Sequence, residues 1–502
     1  MPKPKKIVVL GGGTAGWMAA CLLNHAWGAA DVPTQITVIE SSDIETVGVG
    51  EGSTPYMRQF FRTLGIEESQ WMPACNATYK CGISFPEWSG RSNAPSYFHP
   101  FFSQLDLKPA ADYFNSCNKR RRGKSVACLP DDYFVAAALA RQKRAPIAQQ
   151  DLGFEHDYAY HFDAGLLATF LKKFAKARGV LHIVDTVSGV IQDDAQTISR
   201  LKTQNHGDQQ ADIFFDCSGF ASVLMGKTLK QPFISYADTL VNDCAVAIPT
   251  PLEDDDLLPS ETVSLAATNG WMWKIPLTHR YGNGYVYSSQ YLTADQAEQE
   301  LRTKLGECAD GAEAKHLKMR IGRVEQHWAG NCVAAGLSQG FIEPLEATAI
   351  GLIQYTIEQF IEHFEKGDFS DKYRSDFNRL VNKSFDGVKD YVSLHYRLNG
   401  RSDSQYWIDN RENTAVSDSL QRIIDCWSNG GDFDERLTLE KMAQSYMRPS
   451  WYCIFSGMGY FPEERNDAAK FTRAAADARR QCEHISSSFY THSRLWLQQG
   501  NS

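Results

Sequence analysis

Apolar and polar positions near the start of the chain predict a strand, a turn and a helix. An apolar run at 7–10 leads into a glycine-rich turn at 11–16, and a helical pattern follows over 17–24. A second apolar run at 36–39 ends at Glu40. A strand that runs through a glycine turn into a helix is typical of parallel α/β proteins. We therefore predict an α/β fold.

The β/α pattern returns after a stretch of aromatic-rich loops that we predict at about 85–143. Asp163 is expected to cap a helix over 164–178 and Gly179 to end it, because a short acceptor side chain favours helix starts and glycine favours helix ends. The apolar runs that follow predict three strands, at 180–184, at 198–203 and from Asp212 onward.

The predicted secondary structure changes twice in the second half of the chain. A β-rich segment is predicted over about 240–292, whereas helical spacing dominates from about Leu352 onward and predicts a closing helix over 473–497. No internal repeat or low-complexity tract interrupts the sequence. The predicted fold class is therefore α/β with a mainly helical C-terminal layer.

The composition of the chain argues against several classes of protein and of binding partner. The 502 residues, 43% of them hydrophobic, can bury one large core or two. A formal net charge of -9 gives no general case for nucleic acid or membrane binding, and we interpret the basic tract at 119–124 as a solvated loop. Twelve cysteines without a C-x-x-C pair indicate reduced thiols, no metal site and a cytoplasmic protein. The basic start at 1–6 lacks a long apolar region, so no secretory signal or membrane span is predicted.

The glycine turn has the spacing of a dinucleotide site. Gly11 permits the tight turn, Gly13 lets the backbone approach a pyrophosphate, and Gly16 lets helix and strand pack closely. Glu40 lies at about the separation of twenty residues expected for a ribose-binding carboxylate. FAD and NAD share this fingerprint, and a glycine turn without a ligand is the remaining alternative.

Later segments favour FAD. The strand from Asp212 runs into a small-residue turn that ends at Phe220 and resembles the second FAD-contacting strand of glutathione-reductase-like flavoproteins. The segment 331–336 resembles the late strand that brings the chain back to the flavin ring. Only one G-x-G-x-x-G motif is present, so a second Rossmann domain for NAD(P)H is not evident.

Two tryptophans lie in the segment W-x-W-x-I-P at 271–276. Spaced by two on an extended backbone, Trp271 and Trp273 project to one face and could wall off a buried site, while Pro276 ends the strand. A tryptophan-rich core strand is the alternative. Together with the glycine turn, the segment resembles the signature of the flavin-dependent halogenases, the group typified by the tryptophan halogenases. The resemblance implies that both indoles lie beside the flavin and keep the substrate from the place where a monooxygenase would oxidise it.

A glycine strap at 48–55 is followed by Ala-Thr-Tyr-Lys at 77–80. In the halogenases a lysine in this setting projects into the active site, so the resemblance implies a catalytic role for Lys80. Without the family context, this lysine would be assigned to the solvated surface. The flanking Tyr79 and Cys81 depart from the small-residue context of the family.

The segment G-F-I-E-P-L-E-A-T at 340–348 matches the family pattern G-F-x-E-P-L-E-[SA]-T. The resemblance implies that Glu346 faces the substrate and that backbone N–H groups at Thr348 and Ala349 bind halide. A helix is predicted to begin near Leu345, and its free N–H groups and positive dipole end suit an anion. The alternative for Glu346 is a carboxylate that caps the helix.

The resemblance covers residues 7 to about 355 and continues more weakly beyond. It implies that His99 and Phe101 face the substrate ring, and we add Trp451 from the aromatic segment 451–457. The residues predicted to bind the cofactor are Gly11, Gly13, Thr14, Ala15, Gly16, Glu40, Val49, Gly50, Leu337 and Ile350. We expect a flavin-binding part at 1–355 with substrate-facing insertions and a substrate-covering helical layer at 356–502.

The function that the resemblance implies is that of an FADH2-dependent halogenase. A separate NAD(P)H-dependent flavin reductase would supply reduced FAD, which with oxygen and chloride or bromide would yield hypohalous acid. Lys80 would relay this oxidant, and Glu346 would stabilise the cationic intermediate and take up the ring proton.

The substrate is expected to be indole or a simple indole derivative. We find no tyrosine-tyrosine-glutamate grouping of the kind with which tryptophan halogenases hold their amino acid, and the segment 451–457 is aromatic and apolar. A tryptophan halogenase proper, a flavin-dependent aromatic monooxygenase and a non-enzymatic flavin-binding module are the alternatives. Whether the protein is a homodimer is left open.

Overall fold

The structure of the protein is a computed structural model. It describes residues 3–29, 33–43, 50–91, 95–154, 156–195, 197–252, 256–442, 445–462, 470–494 and 497. The chain groups into two compact units, each made of three separate segments. The first unit consists of Met1–Asn76, Phe162–Ala237 and Met319–Asp386, and the second consists of Ala77–His161, Asp238–Lys318 and Gly387–Ser502.

The strands that the structure describes are, in chain order, β1 (Lys6–Leu10), β2 (Gln35–Glu40), β3 (Gly50–Gly52), β4 (Thr78–Lys80), β5 (Gly82–Pro86), β6 (Ser96–Pro100), β7 (Arg144–Ala148), β8 (Ala159–Asp163), β9 (Leu181–Val184), β10 (Val187–Gln192), β11 (Ile198–Thr203), β12 (Asp208–Gln210), β13 (Ile213–Asp216), β14 (Phe233–Ser235), β15 (Cys244–Thr250), β16 (Glu261–Ala267), β17 (Gly270–Pro276), β18 (Tyr281–Tyr287), β19 (Lys315–Lys318), β20 (Gly322–Val324), β21 (Trp328–Ala329), β22 (Cys332–Ala334), β23 (Gly340–Phe341) and β24 (Phe489–Thr491).

The α-helices that it describes are α1 (Thr14–Trp27), α2 (Tyr56–Leu64), α3 (Glu68–Trp71), α4 (Leu107–Arg121), α5 (Val135–Arg141), α6 (Ala164–Lys176), α7 (Ala294–Leu305), α8 (Ala349–Lys366), α9 (Arg374–Arg397), α10 (Gln405–Glu412), α11 (Asp418–Ser428), α12 (Phe433–Leu439), α13 (Arg448–Gly457) and α14 (Arg473–Ser486). None of these helices is both long and apolar enough to span a bilayer.

The first unit is built on a sheet with the strand order β21-β22-β13-β1-β2-β9. β1 pairs in parallel with β2 and β13, β22 pairs in parallel with β13, and β9 does so with β2. Apolar side chains such as Val8 and Phe214, which lie side by side in the register, are buried because helices cover a parallel sheet. The predicted α/β fold is confirmed.

Aromatic packing fixes the first helix of this unit to α8. The ring of Trp27, at the end of α1, contacts the rings of Phe360 and Phe364. Its indole N–H donates a hydrogen bond to Glu365 Oε1 at 2.7 Å, so the one polar atom of a buried indole has a partner. Removing this indole would leave a large cavity beside the parallel sheet.

The helix predicted after Asp163 is present. The Asp163 carboxylate accepts hydrogen bonds from the backbone N–H groups of Gly165 and Leu166, and α6 runs from Ala164 to Lys176. Such a cap satisfies two donors that have no partner within the helix. The predicted strands at 180–184 and 198–203 correspond to β9 and β11.

The second unit contains an extended, mainly antiparallel sheet with the strand order β19-β15-β18-β17-β16-β5-β6. Neighbouring strands are antiparallel except that β16 pairs in parallel with β5. The tryptophan segment forms β17, which lies between β16 and β18. The β-rich segment predicted over 240–292 is therefore present, and the tryptophans lie on an inner strand.

The prediction of aromatic-rich loops over 85–143 is wrong. That stretch contains β6, α4 and α5. In α4, Tyr113, Cys117 and Arg120 recur at helical spacing and are buried, so this helix packs one face against the core. The interpretation of the basic tract at 119–124 as a solvated loop is also wrong, because its first three residues end α4 and both Arg120 and Arg121 are buried.

The closing helix predicted over 473–497 is too long. α14 ends at Ser486, and β24 follows and pairs with β7. The hydroxyls of three consecutive serines donate to carbonyls of the last helical turn: Ser486 to Glu483, Ser487 to His484 and Ser488 to Ile485. Serine side chains that bond to nearby backbone compete with helix continuation, which explains the early end.

The compact units do not divide the chain at a single point. Residue 355 lies inside α8 and within the first unit. As a division between flavin-binding and substrate-covering segments, the boundary at 355 stays a prediction.

Candidate functional site

Four strand ends of the first unit form a candidate cofactor edge. In a parallel sheet, the carboxyl ends of neighbouring strands lie at the same edge, where α/β proteins bind nucleotides. β1 leads into the glycine turn there, and β2 ends at Glu40. A Cβ placed on Gly11 would lie 2.1 Å from the carbonyl oxygen of Cys217, which follows β13. Gly11 also has a positive φ of 119°, so both close approach and backbone conformation require glycine.

The first turn of α1 faces open space. Its N-cap residue is Gly13, no side chain caps it, and no acidic residue lies in the first turn. A Cβ on Gly13 would meet nothing within 4 Å, whereas one on Gly16 would lie 1.9 Å from the Gly11 carbonyl oxygen. The turn therefore packs against the strand behind it and presents free N–H donors in front. These features fit the pyrophosphate of FAD.

Glu40 is oriented by two neighbours. Its Oε1 accepts hydrogen bonds from Lys172 Nζ at 3.0 Å and from His182 Nε2 at 2.7 Å. Burial lowers the pKa of His182, so the neutral imidazole donates this proton. Its other oxygen, Oε2, would lie 1.6 Å from a Cβ on Gly12, so the carboxylate lies directly over the glycine turn. Such a placement suits a ribose hydroxyl.

The carboxylate of Asp216 organises the turn after β13. This fully buried side chain accepts hydrogen bonds from the backbone N–H groups of Ser218, Leu224 and Met225. The carbonyl oxygen of Asp216 accepts a bond from the N–H of Ala335, at 3.0 Å, and so joins this turn to the loop after β22. Burial raises the pKa of Asp216, and the hydrogen bonds oppose that rise.

The other residues predicted to bind the cofactor differ in how exposed they are. Leu337 is 38% exposed in the loop after β22, whereas Ile350 is buried in the first turn of α8. Gly50 begins β3, and Val49 lies outside the described residues. The contacts of these residues with a cofactor stay predictions.

The helix predicted near Leu345 begins later. A short 3-10 turn spans Pro344–Glu346, and Ala347 adopts a left-handed conformation with φ 54°. Only then does α8 begin, at Ala349, with Thr348 as an N-cap whose side chain makes no capping bond. The left-handed Ala347 separates the buried Glu346 from the helix. The first N–H groups of α8, like those of any helix, have no partners within it, and the Thr348 side chain does not cap them.

Lys80 is completely buried in the second unit. It ends β4, where it pairs with Ala159 of β8. Its Nζ lies 5.6 Å from the centroid of the Phe101 ring, an arrangement that favours the charged ammonium. The N–H of Phe101 donates to the Cys81 carbonyl at 3.0 Å, so the ring is tied to the strand that carries the lysine.

A neutral histidine lies beside this strand. The Thr78 hydroxyl donates to the Pro276 carbonyl at 2.7 Å, so it must accept from His161 Nδ1, at 3.1 Å. His161 Nε2 then accepts from the Thr262 hydroxyl at 2.9 Å. Burial and, secondly, the charge of Lys80 hold the pKa of His161 well below its usual range. The network joins the lysine strand to the end of the tryptophan segment.

Trp271 and Trp273 project to the same face of β17, as predicted, with ring centroids 6.2 Å apart. Trp273 pairs with Gly284 across the sheet. A Cβ on Gly284 would lie 2.0 Å from Trp273 Cη2, so the indole lies flat over a position that only glycine can occupy. Both indoles are largely buried, and their role as a passage stays a prediction.

The predicted ring contacts are connected through Tyr391. Its hydroxyl donates to the Ser450 carbonyl at 3.1 Å and lies 3.4 Å from His99 Nε2. Trp451 packs edge-on against the Tyr391 ring with centroids 5.0 Å apart and is fully buried. Trp451 thus joins this cluster through Tyr391, and direct contact with a substrate stays a prediction.

Comparison with known proteins decides the family. The family model for tryptophan halogenase matches residues 6–474. The chain belongs to the tryptophan halogenase family. Tryptophan 6-halogenase SttH of Streptomyces toxytricini is 42% identical over 450 residues, which cover 84% of each chain. Tryptophan 7-halogenase RebH of Lentzea aerocolonigenes is 34% identical over 495 residues, 92% of this chain and 91% of that one.

Solved structures agree. Tar14, a tryptophan C-6 flavin-dependent halogenase (chlorinase) from taromycin biosynthesis, superposes with a TM-score of 0.86 at 38% identity and covers 99% of this chain and 100% of that one. BrvH, a flavin-dependent halogenase from Brevundimonas sp. BAL3, gives a TM-score of 0.84 at 32% identity with the same coverage. The protein is therefore an FADH2-dependent halogenase, as the sequence predicted.

Sequence reasoning missed several supporting residues. Thr78 lies two positions before Lys80 and therefore on the same face of β4, a spacing that could have marked it. His161 and Tyr391 carry no such local signal, because their partners come from distant parts of the chain. His182 would also have been found only from the structure.

We expect Gly284→Ala to displace the Trp273 indole, because the added methyl group would overlap the ring. Tryptophan fluorescence should shift, and halogenated product should fall at least tenfold while FAD affinity is kept. Gly189→Ala is the matched control, since a Cβ there meets atoms no closer than 3.9 Å. An unchanged spectrum and yield in Gly284→Ala would contradict the prediction.

Proposed function

We propose that the protein halogenates an electron-rich aromatic, indole or a simple indole derivative, with chloride or bromide. The observation that carries the proposal is the burial of Lys80 at the end of β4 beside the Phe101 ring. A buried lysine is rare because desolvation of its charge is costly, so its retention in a halogenase favours a chemical role. A homodimer, a cytoplasmic location and a separate flavin reductase stay predictions.

FAD would be held by the loops at the cofactor edge. We infer that the first turn of α1 binds the pyrophosphate and that Glu40, fixed by Lys172 and His182, binds the ribose. When bound, reduced FAD supplies, with oxygen, the oxidising equivalent that converts halide into hypohalous acid. The chain itself binds and orients the reactants.

Halide would bind at the start of α8. The N–H groups near Thr348 and Ala349 lie after the left-handed turn at Ala347, and no side chain caps the helix. Free N–H donors and the positive end of the helix dipole stabilise a bound anion.

Lys80 would receive the hypohalous acid. Either its ammonium donates a hydrogen bond to this oxidant, or the lysine, after loss of a proton, attacks the halogen to form a haloamine while hydroxide leaves and takes up that proton as water. In both cases a positive halogen equivalent is presented to the arene. His161 supports the charged lysine, because its fixed neutral state adds no second positive charge beside it.

Glu346 would stabilise the cationic ring intermediate and accept the ring proton. The side chain is 4% exposed, so its carboxylate acts where solvent screens charge weakly. Thr348, and not Glu346, occupies the N-cap position of α8.

The substrate class follows from the C-terminal helix α13. Its side chains from Trp451 to Phe455 are buried and mostly aromatic or apolar. Arg448, at the start of this helix, pairs with Asp434 at 2.6 Å. Holding the ammonium and carboxylate of an amino acid in a buried pocket needs paired charges, since an unpaired buried charge costs several kcal/mol. An apolar, aromatic helix therefore favours indole.

Free tryptophan is the second candidate substrate, because SttH and RebH are named tryptophan halogenases. A flavin-dependent aromatic monooxygenase would give oxygenated product without halide. Reactions with reduced FAD and oxygen, run with and without bromide and read by mass spectrometry, separate these alternatives.

Lys80→Ala should abolish halogenation while FAD binding and oxygen consumption remain near wild type, because the lysine acts after the oxidant forms. Product and hydrogen peroxide are measured in the same reaction, and peroxide should rise. Lys315→Ala, an exposed lysine of the same unit, is the matched control and should keep full yield. If Lys80→Ala retained its product yield, Lys80 would not relay the oxidant.

Glu346→Gln should fold and bind FAD, because the amide keeps the shape of the side chain. Halogenation should slow by about a hundredfold, since an amide neither accepts the proton nor offsets the cation. Glu362→Gln removes the charge of an exposed glutamate on α8 and serves as control. A near-normal rate in Glu346→Gln would leave this residue only a structural role.

Free indole should be halogenated with a higher kcat/KM than L-tryptophan. The main product should carry the halogen at the electron-rich C3, because in a site that binds only the ring the intrinsic reactivity of indole determines the position. Side-by-side kinetics and NMR of the products check this. A preference for tryptophan, with clean attack on its benzene ring, would show that an amino-acid clamp exists.

A further inference from the structure

The buried His492, near the end of the chain, joins three segments of the second unit. Its N–H donates to the Lys143 carbonyl at 2.9 Å, and its own carbonyl accepts from the N–H of Leu258 at 2.9 Å. Its Nδ1 lies 3.0 Å from the Leu258 carbonyl, and the N–H of Tyr79 lies 3.1 Å from Nε2. Both backbone groups and both ring nitrogens are used.

These contacts fix the protonation of the imidazole. A backbone N–H only donates, so Nε2 must accept from Tyr79 and the ring proton must lie on Nδ1, from which it is donated to the Leu258 carbonyl. Burial lowers the pKa of His492 to about 4. At neutral pH the ring therefore stays uncharged and keeps the lone pair that Tyr79 requires.

The Tyr79 contact matters because of its place in the strand. Tyr79 immediately precedes Lys80, and β4 is an edge strand of its sheet. β8 pairs with one side of β4, and His492 provides an acceptor for a backbone N–H of its middle residue. The direction of the Lys80 side chain depends on this backbone, since side chains of a strand follow the pleat.

The segment around His492 is itself held in place. β24 pairs with β7, and the N–H of Arg494 donates to the Asp256 carbonyl at 2.7 Å. Ser493 forms a bridge with Leu257 and donates its hydroxyl to the Asp256 carboxylate. A side chain fixed on both sides in this way can act as a rigid support.

We propose that His492 is a positioning residue that holds the backbone of β4 at Tyr79 and thereby directs Lys80 into the halogenation site. The proposal rests on the proposed role of Lys80. It assigns to the residue that follows the last described strand of the chain a part in the reaction, in addition to packing.

Two substitutions separate the ring nitrogens. His492→Asn keeps an amide N–H at the position of Nδ1, for Leu258, but has no atom that reaches Tyr79. His492→Gln places an amide oxygen near the position of Nε2, for Tyr79, and gives up the bond to Leu258. Ser493→Ala removes the hydroxyl bond to Asp256 but keeps the backbone bridge to Leu257 and the Tyr79 contact, so it is the matched control.

The holoenzyme variants are compared with reduced FAD, oxygen, bromide and indole. In His492→Asn, we expect at least a tenfold lower ratio of brominated indole to released peroxide, with unchanged FAD affinity and oxygen consumption. Hydrogen exchange of the peptide that contains Tyr79 should be faster, and reductive methylation of Lys80 by formaldehyde, read by mass spectrometry, should increase. His492→Gln and Ser493→Ala should resemble the wild type in all five measurements.

Wild-type coupling, exchange and methylation in His492→Asn would overturn the proposal. If His492→Asn does not fold, His492→Gln provides the test. This variant keeps the contact with Tyr79, so a lower ratio of product to peroxide together with increased methylation of Lys80 would show that the Tyr79 contact does not position the lysine. Lys80→Ala is run in parallel. If it keeps its product yield, the role of Lys80 fails, while exchange and methylation still report whether His492 holds the strand.

Discussion

The buried carboxylate of Asp216 is the interaction on which the cofactor edge depends. It gathers three backbone N–H groups of the turn after β13, and its own carbonyl binds the loop after β22. A buried carboxylate is tolerated only when hydrogen bonds replace its water. The next residue, Cys217, donates its N–H to the Leu10 carbonyl at 2.8 Å, and its own carbonyl requires glycine at position 11. Asp216 thus joins the turn after β13 to the loop after β22 through its side chain and its backbone.

Neutral histidines play the corresponding part in the second unit. His161 and His492 lie beside the strand that carries Lys80, and burial lowers the pKa of each. Each uses one ring nitrogen as donor and the other as acceptor, so each fixes two partners without adding charge. A positively charged residue in either place would repel the lysine ammonium and would need its own counter-ion.

The tryptophan signature shows which features of a site a sequence motif can predict. Its spacing placed Trp271 and Trp273 on one face of a strand, and the structure confirms this. The spacing does not reveal Gly284, the fourth residue of β18, whose missing side chain makes room for the second indole. Nor does it reveal that Pro276 accepts a bond from Thr78, which links the signature to the lysine strand. The motif identifies the family, and its neighbours give the geometry.

The sequence alone determined the local order of this protein: the apolar strands at 7–10 and 36–39, the glycine turn between strand and helix, the cap at Asp163 and the family to which the motifs belong. These features depend on periodicity and on residues close together in the chain. Tertiary structure decided where α8 begins. Glycine often marks a left-handed position in a sequence, but here the left-handed residue is Ala347, which the sequence does not mark. It also decided what surrounds Lys80, since Thr78 binds His161 across 83 positions and Tyr79 binds His492 across 413. Burial and hydrogen bonds between such distant segments exist only after the chain has folded, so no pattern along the sequence predicts them.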